Sequence, residues 1–181
     1  MKWLIASDIH GSASYCRMLM DAYKREKADR LLLLGDILYH GPRNDLPEGY
    51  APKEVIAMLN AMAEDIIAVR GNCDAEVERM VLSFPVSSDC AAIAFNDRVI
   101  FATHGHVYTP DSLPPMKKGD VFLYGHTHVS KKEQKGENYC FNPGSVSIPK
   151  ENTPRGYMTL ENSTFVWKTL EGCEYDSITL C

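Results

Sequence analysis

The chain has 181 residues, 45% hydrophobic and 24% charged, the proportions of an ordinary globular protein rather than a disordered or fibrous one. That length suits one domain over residues 1–181, able to bury roughly 70% of its unfolded surface. A formal net charge of −5 opposes bulk attraction to a nucleic-acid backbone, which needs clustered Lys and Arg, and nothing in the composition suggests a membrane role.

The chain opens MKWLIASDIHGS, where the apolar run is too short for a secretory signal and ends in Asp8-Ile9-His10 rather than in a cleavage site. It therefore reads as a first strand over residues 2–6, in a protein expected to stay in the cytoplasm. The cysteines, Cys16, Cys73, Cys90, Cys140, Cys173 and Cys181, form no CxxC pair and no regular spacing, so reduced thiols are expected. Beyond Gly11, Ser12 or Ser14 can cap a helix that carries Met18, Leu19, Ala22 and Tyr23 at helical spacing and Lys24, Arg25 and Lys27 near its end. Residues 31–34 are all leucine, a run that fits a strand covered on both faces, and it ends at Gly35-Asp36. Segment 39–52 holds three prolines together with Tyr39, His40 and Tyr50, and so reads as a long loop of the kind that carries function. Helical periodicity returns over 53–62, and a third strand over 65–69 delivers Arg70-Gly71-Asn72. The order is βαβαβ, which argues for parallel pairing with right-handed crossovers.

Past residue 90 the character changes. Segments 91–95 and 99–103 flank Asn96-Asp97 as a hairpin, and strands at 121–124, 130–134, 139–141, 157–160 and 164–169 follow without long helices between them. Turns fall at Gly136-Glu137 and Glu161-Asn162. This mixture predicts an α/β protein with two sheets packed face to face and helices outside.

Seven residues stand in short islands, nearly all directly after apolar runs: Asp8 and His10, Asp36, Asn72, His104, and His126 with His128. Side chains at the ends of neighbouring strands converge on one edge of a sheet, where open α/β folds place ligands. Two divalent cations about 3.5–4 Å apart clamp the attacking and departing oxygens of a phosphoryl transfer when a carboxylate bridges them, and Asp36 is the natural bridge. We assign Asp8, His10, Asp36 and His128 to one ion and Asp36, Asn72, His104 and His126 to the other. All donors are N or O, which suits Mn, Fe, Zn or Co. Only two of them are anionic, so a pair of divalent ions leaves a local charge of about +2 that selects an anionic substrate and lowers the pKa of a bridging water toward about 7.

In this order, Asp8-Ile9-His10, Gly35-Asp36, Gly71-Asn72-Cys73-Asp74, His104-Gly105-His106 and Gly125-His126-Thr127-His128 resemble the DxH, GD, GN(H/D), H and GHxH pattern of the calcineurin-like metallophosphoesterase superfamily. The likeness spans residues 2 to about 148. The GPRN segment after Asp36, the GNCD string and Asn142-Pro143-Gly144-Ser145 look most like its small YfcE-type bacterial phosphodiesterases. The resemblance implies a four-layer αββα sandwich of two mixed sheets flanked by helices. It also implies two divalent ions, usually manganese with Zn, Fe, Co or Ni as alternatives, and hydrolysis of a small phosphodiester. Small relatives often form homo-oligomers. The other readings are a phosphomonoesterase of the same fold and a silent interaction scaffold, since the retromer complex contains such a subunit.

Many members carry GNHD or GNHE, whose histidine helps protonate the leaving oxygen. Cys73 stands there instead, and a thiol is a poor substitute for an imidazolium. His106 is the candidate that remains for protonating the leaving group or holding the phosphate, and Arg43 is either a bidentate clamp on the phosphate or a solvated loop arginine. Cys73 is expected to pack beside the metals, Asp74 to hold a helix start or a supporting hydrogen bond, His40 to be a loop residue, and Asn142-Pro143-Gly144-Ser145 to be a turn joining strands.

Overall fold

In the computed structural model, residues 1–86 and 88–180 are described; Cys181, expected to be a reduced thiol, lies outside them. β1 (Trp3–Ala6), β2 (Arg30–Leu33) and β3 (Ile66–Ala68) pair in parallel, with α1 (Ala13–Glu26) and α2 (Pro52–Asn60) in the two crossovers. The first helix is capped by Ser12, whose hydroxyl accepts from Tyr15 N at 3.3 Å, and the second begins on Pro52, where the missing N–H costs nothing. Ala63–Asp65 forms a 3₁₀ turn, so the third strand begins at Ile66 rather than at residue 65.

α3 (Glu78–Val81) is a single short helix that the sequence did not announce. Beyond it lie the hairpin β4 (Cys90–Phe95) and β5 (Arg98–Thr103), then β6 (Val121–Leu123), β7 (Ser130–Lys135) and β8 (Asn138–Pro143). β9 (Gly156–Glu161), β10 (Thr164–Thr169) and β11 (Glu174–Thr179) complete the chain. One sheet runs β11-β10-β9-β1-β2-β3 and the other β4-β5-β6-β8-β7, both of mixed direction.

The four-leucine run shows how the layers form. Leu31 and Leu33 face the helices together with Leu4, Ala6, Leu19, Val55 and Leu59, while Leu32 and Leu34 face the second sheet together with Ile5, Val121, Phe141 and Trp167. Period-two alternation with apolar residues in every position is what a strand buried on both faces requires. Between the sheets, Phe141 meets Phe165 and Trp167 edge to face with ring centroids 5.0 and 5.3 Å apart. The Trp167 indole N–H donates to Asn142 O at 2.8 Å, so a strand of one sheet is tied to a strand of the other without leaving a buried donor unpaired.

The flanking layers differ. Helices cover the first sheet. The outer face of the second, at Phe122, Tyr124 and Cys140, packs Tyr108, Leu113 and Met116 of the irregular segment that follows β5.

Candidate functional site

Strands β1, β2 and β3 end side by side, and their loops continue the pairing a few residues farther. Asp8 N donates to Gly35 O, His10 N to Asp36 O and Gly11 N to Ile37 O, at 2.9–3.1 Å. This shared edge turns abruptly. Asp8, His10, Asp36, His126 and His128 all adopt positive φ, between 49° and 65°. L-residues avoid that region at a cost of about 1–2 kcal/mol each, so the backbone is strained where these side chains gather. Gly35 and Gly71 make the close approach possible, since a Cβ on Gly35 would collide with the Gly71 backbone and one on Gly71 with the Asp36 carboxylate.

Six of the seven expected ligands lie in polar contact. Asp8 Oδ1 is 3.5 Å from His10 Nε2 and 3.3 Å from His128 Nε2, and the two imidazole nitrogens are 3.2 Å apart. Asp36 Oδ2 is 3.3 Å from His104 Nε2 and 3.7 Å from His10 Nε2, and His104 Nε2 is 3.0 Å from Asn72 Oδ1. His126 stands slightly apart, with its ring 5.1 Å from that of His104. Asp8, His10 and His104 are fully buried, and Asp36 and His128 almost so.

The opposite nitrogens of three rings fix their chemistry. His10 Nδ1 meets Tyr39 O at 2.8 Å, His104 Nδ1 meets Leu34 O at 2.7 Å and His128 Nδ1 meets Ile148 O at 2.7 Å. A carbonyl only accepts, so each Nδ1 carries the hydrogen and each neutral ring presents a bare Nε2 lone pair inward. His10 and His128 thus aim two lone pairs at each other and at Asp8 Oδ1, which is buried without a hydrogen-bond donor. A proton, a donating water or a cation relieves such a gathering of acceptors, and two inward imidazole lone pairs beside a carboxylate are donors that fit a metal ion.

Without a cation, protons take its place. Burial works against the charged Asp8, yet contact with His10 and His128 outweighs it and holds the carboxyl well below its usual range. His104 is likewise disfavoured by burial but pulled up to about 9 by Asp36 and Asp8. His126 and His106 go the other way, lowered by burial and then by the His104 charge.

Buried polar groups brace the edge from behind. Asp74 accepts from Gly71 N at 2.7 Å, Ile37 N at 2.8 Å and Asp36 N at 2.9 Å, the supporting role expected of it, tying the second and third loops together. Ser145 and Ser147 both donate from their hydroxyls to Asp8 O, at 2.9 and 3.0 Å. Asn142 donates to Gly125 O at 2.8 Å and accepts from Gly144 N at 2.8 Å. Asn142 and Pro143 are the last residues of β8 and Gly144-Ser145 its exit, so the segment is a strand end rather than the turn expected, and it clamps the loops bearing Asp8 and His126.

A cleft of about 620 Å³ opens on the cluster, lined by Asp36, Tyr39, Arg43, Arg70, Asn72, Cys73, His126 and Lys150 among others. Arg43 is exposed at its wall. Arg70 and Lys150 were not singled out in the sequence. Cys73 packs beside Asp36, to whose Oδ1 its backbone N–H donates at 2.8 Å, and burial and the nearby carboxylates push its thiol up to about 12. His106 lines a second hollow of about 570 Å³ with Tyr124, Thr127 and Lys131, its Nδ1 buried without a hydrogen-bond partner among the described residues, and its ring 5.4 Å from that of His104. His40 is wedged edge-on between Tyr39 and Tyr50 within the loop.

Residues 1–164 match the calcineurin-like phosphoesterase superfamily domain. The chain is 48% identical over 162 residues to phosphodiesterase YfcE of Escherichia coli K12, covering 90% of this chain and 88% of that protein. The solved structure of YfcE, a phosphoesterase from E. coli, superposes with a TM-score of 0.96 at 44% identity and 99% coverage of both chains. Vps29 of Entamoeba histolytica, in a complex with Zn2+, shares the fold at a TM-score of 0.65 and 20% identity, covering 98% of each chain.

Proposed function

Since the chain belongs to the calcineurin-like phosphoesterase superfamily, we propose that it is a metal-dependent phosphodiesterase acting on a small substrate. The observation that carries the reading is the buried meeting of His10, His128 and Asp8, three acceptors with no donor, beside a second group of Asp36, His104 and Asn72. Asp8, His10 and His128 would hold one ion and Asn72, His104 and His126 the other, with Asp36 between them. Divalent cations so held supply Lewis acidity toward a phosphoryl oxygen and acidify a water. Manganese is the ion proposed, because the donors are nitrogen and oxygen and the neutral thiol of Cys73 adds no soft ligand. The cytoplasm is the compartment proposed, in keeping with the free thiols of Cys16, Cys73, Cys90, Cys140 and Cys173. One domain over residues 1–181 is proposed, in keeping with a site assembled from loops between Asp8 and His128.

The chain's own groups do the remaining work. The Nδ1 hydrogen bonds of His10, His104 and His128 lock their rings with Nε2 inward, and Asp74 fixes the backbone on either side of Asp36. Arg43, at the cleft wall, is placed to pair two of its N–H groups with phosphate oxygens. Cys73 holds its proton too tightly to give it to a departing alkoxide at neutral pH, so good leaving groups should be favoured. His106, on the far side of His126, is the proton donor or phosphate contact proposed for the second hollow.

Comparing a diester and a monoester of one leaving group, with manganese supplied, tests the reading. A higher turnover of the diester is expected. A monoester rate far above it would assign the protein to phosphomonoesters instead.

A further inference from the structure

His126 separates two hollows of similar size whose charges are arranged in opposite ways. In the hollow that it shares with His106, both cations are paired: Lys135 Nζ is 2.8 Å from Asp111 Oδ1, and Lys131 Nζ is 3.2 Å from Glu133 Oε2. The cleft over Asp36 carries Arg43, Arg70 and Lys150, all exposed, and among the described residues none of them has a hydrogen bond or an ion pair from its charged group. Every other arginine of the chain donates to a carboxylate, a hydroxyl or a carbonyl.

All three line one cleft whose own carboxylates, Asp36 and Asp74, already accept from backbone N–H groups, and a cationic metal pair beneath them would add to the positive potential there. Such an arrangement persists where a ligand supplies the missing anion. One phosphodiester carries a single negative charge, and the two cations proposed at the cluster, set against the Asp8 and Asp36 carboxylates, already exceed it. Charge balance at the reacting phosphate is thus met without the three side chains, which leaves Arg43 to clamp a second phosphate rather than the reacting one.

We infer that Arg43, Arg70 and Lys150 form a second anion subsite, so that the substrate is a phosphodiester one of whose alcohol arms carries a further phosphate. The inference rests on the phosphodiesterase reading and extends it from reaction to substrate class. The phosphorylated arm lies in the cleft, where two guanidinium forks and an ammonium meet phosphate oxygens. The other arm lies toward the hollow with paired charges, which offers hydroxyl and carboxylate groups to an uncharged, hydroxylated group.

The test compares 4-nitrophenyl ethyl phosphate with 4-nitrophenyl 2-phosphoethyl phosphate on the manganese-loaded protein. The second ester should show a KM at least tenfold lower, and Arg70→Ala with Lys150→Ala should erase most of that difference. Lys24→Ala, at a lysine of α1 without an ion pair among the described residues, should leave the ratio as it was. Equal KM values for the two esters, or a preference that survives the double substitution, would overturn the subsite. Calorimetric titration of the same proteins with ethylphosphonate and propane-1,3-bisphosphonate reads the subsite without turnover. The bisphosphonate should bind more tightly, and lose that advantage in the double variant. If neither ester is hydrolysed, the phosphodiesterase reading fails, while equal affinities for the two phosphonates would sink the anion subsite itself.

Discussion

The space between the sheets and the edge where β1, β2 and β3 end are built on opposite terms. Between the sheets, Ile5, Leu32, Phe141, Phe165 and Trp167 alternate as strand geometry demands, and the buried indole N–H finds its acceptor. At the edge, five expected ligands sit at positive φ, carboxylates are buried, and imidazole lone pairs face one another. Local propensity, pattern and polar satisfaction agree in the first region and conflict in the second. Single residues at positive φ occur in ordinary turns such as those at Lys27 and Asn96, but five such residues gathered with unmet acceptors at one edge mark function.

If that contrast is right, the two regions separate on mutation. Trp167→Ala should lower unfolding free energy by about 3–5 kcal/mol, since it leaves a cavity and orphans the Asn142 carbonyl, and urea denaturation would measure it. Asp36→Asn should instead leave the fold in place and cut manganese-dependent turnover by on the order of a hundredfold or more. An Asp36→Asn protein that unfolds as readily as Trp167→Ala would erase the distinction between a structural interior and a functional edge.

Smaller effects sharpen it. Glu26, far from the cluster, is buried against Lys2 at 2.8 Å and Lys168 at 2.9 Å and accepts from Tyr157 O–H at 2.8 Å. Burial disfavours its charge, but these contacts bring its pKa down to about 2. The folded value is depressed, so the stabilisation is complete above about 4.5 and fades as pH falls toward 2. Glu26→Gln should cost about 2 kcal/mol at neutral pH and flatten acid unfolding over that window.

Glu78, behind the functional edge, shows the reverse sign. Burial and the Asp74 carboxylate raise its pKa to about 9, so the folded protein retains a proton that the unfolded chain releases above about 4.5. Stability should therefore decline as pH rises between those values, by at most about 1.4 kcal/mol per unit, and Glu78→Gln should remove that slope. A pH-independent difference between Glu78→Gln and the parent protein would show that Glu78 is not held neutral.

Much of the fold was legible because its elements obey local rules. The leucines of β2 declared a doubly covered strand, Ser12 marked a helix start and Asn96-Asp97 a hairpin, while Pro52, read as the end of a loop, proved to open α2. The β11 strand escaped notice because Tyr175 and Ile178 do not alternate. It is an edge strand, and its pairing with β10 slips a register between Trp167 and Lys168. α3 is too short to display a period. The ligand islands stood out as residue types that have no reason to follow apolar runs. Their supports did not, because a serine that holds Asp8 from 137 positions away looks like any other serine until the chain is folded. Arg70 and Lys150 were hidden for the same reason, since an unpaired charge is visible only against the pairs that others make.

The central claim is that Asp8, Asp36 and the inward-facing imidazoles hold the ions on which hydrolysis depends. The most direct test is to count bound metal and follow an activated phosphodiester in one experiment, using the stripped protein, the manganese-restored protein and Asp36→Asn. Activity should vanish on stripping and return as two ions bind per chain, and Asp36→Asn should bind fewer and stay slow. Stripped or Asp36→Asn protein that hydrolyses the diester as fast as the intact protein would contradict the account.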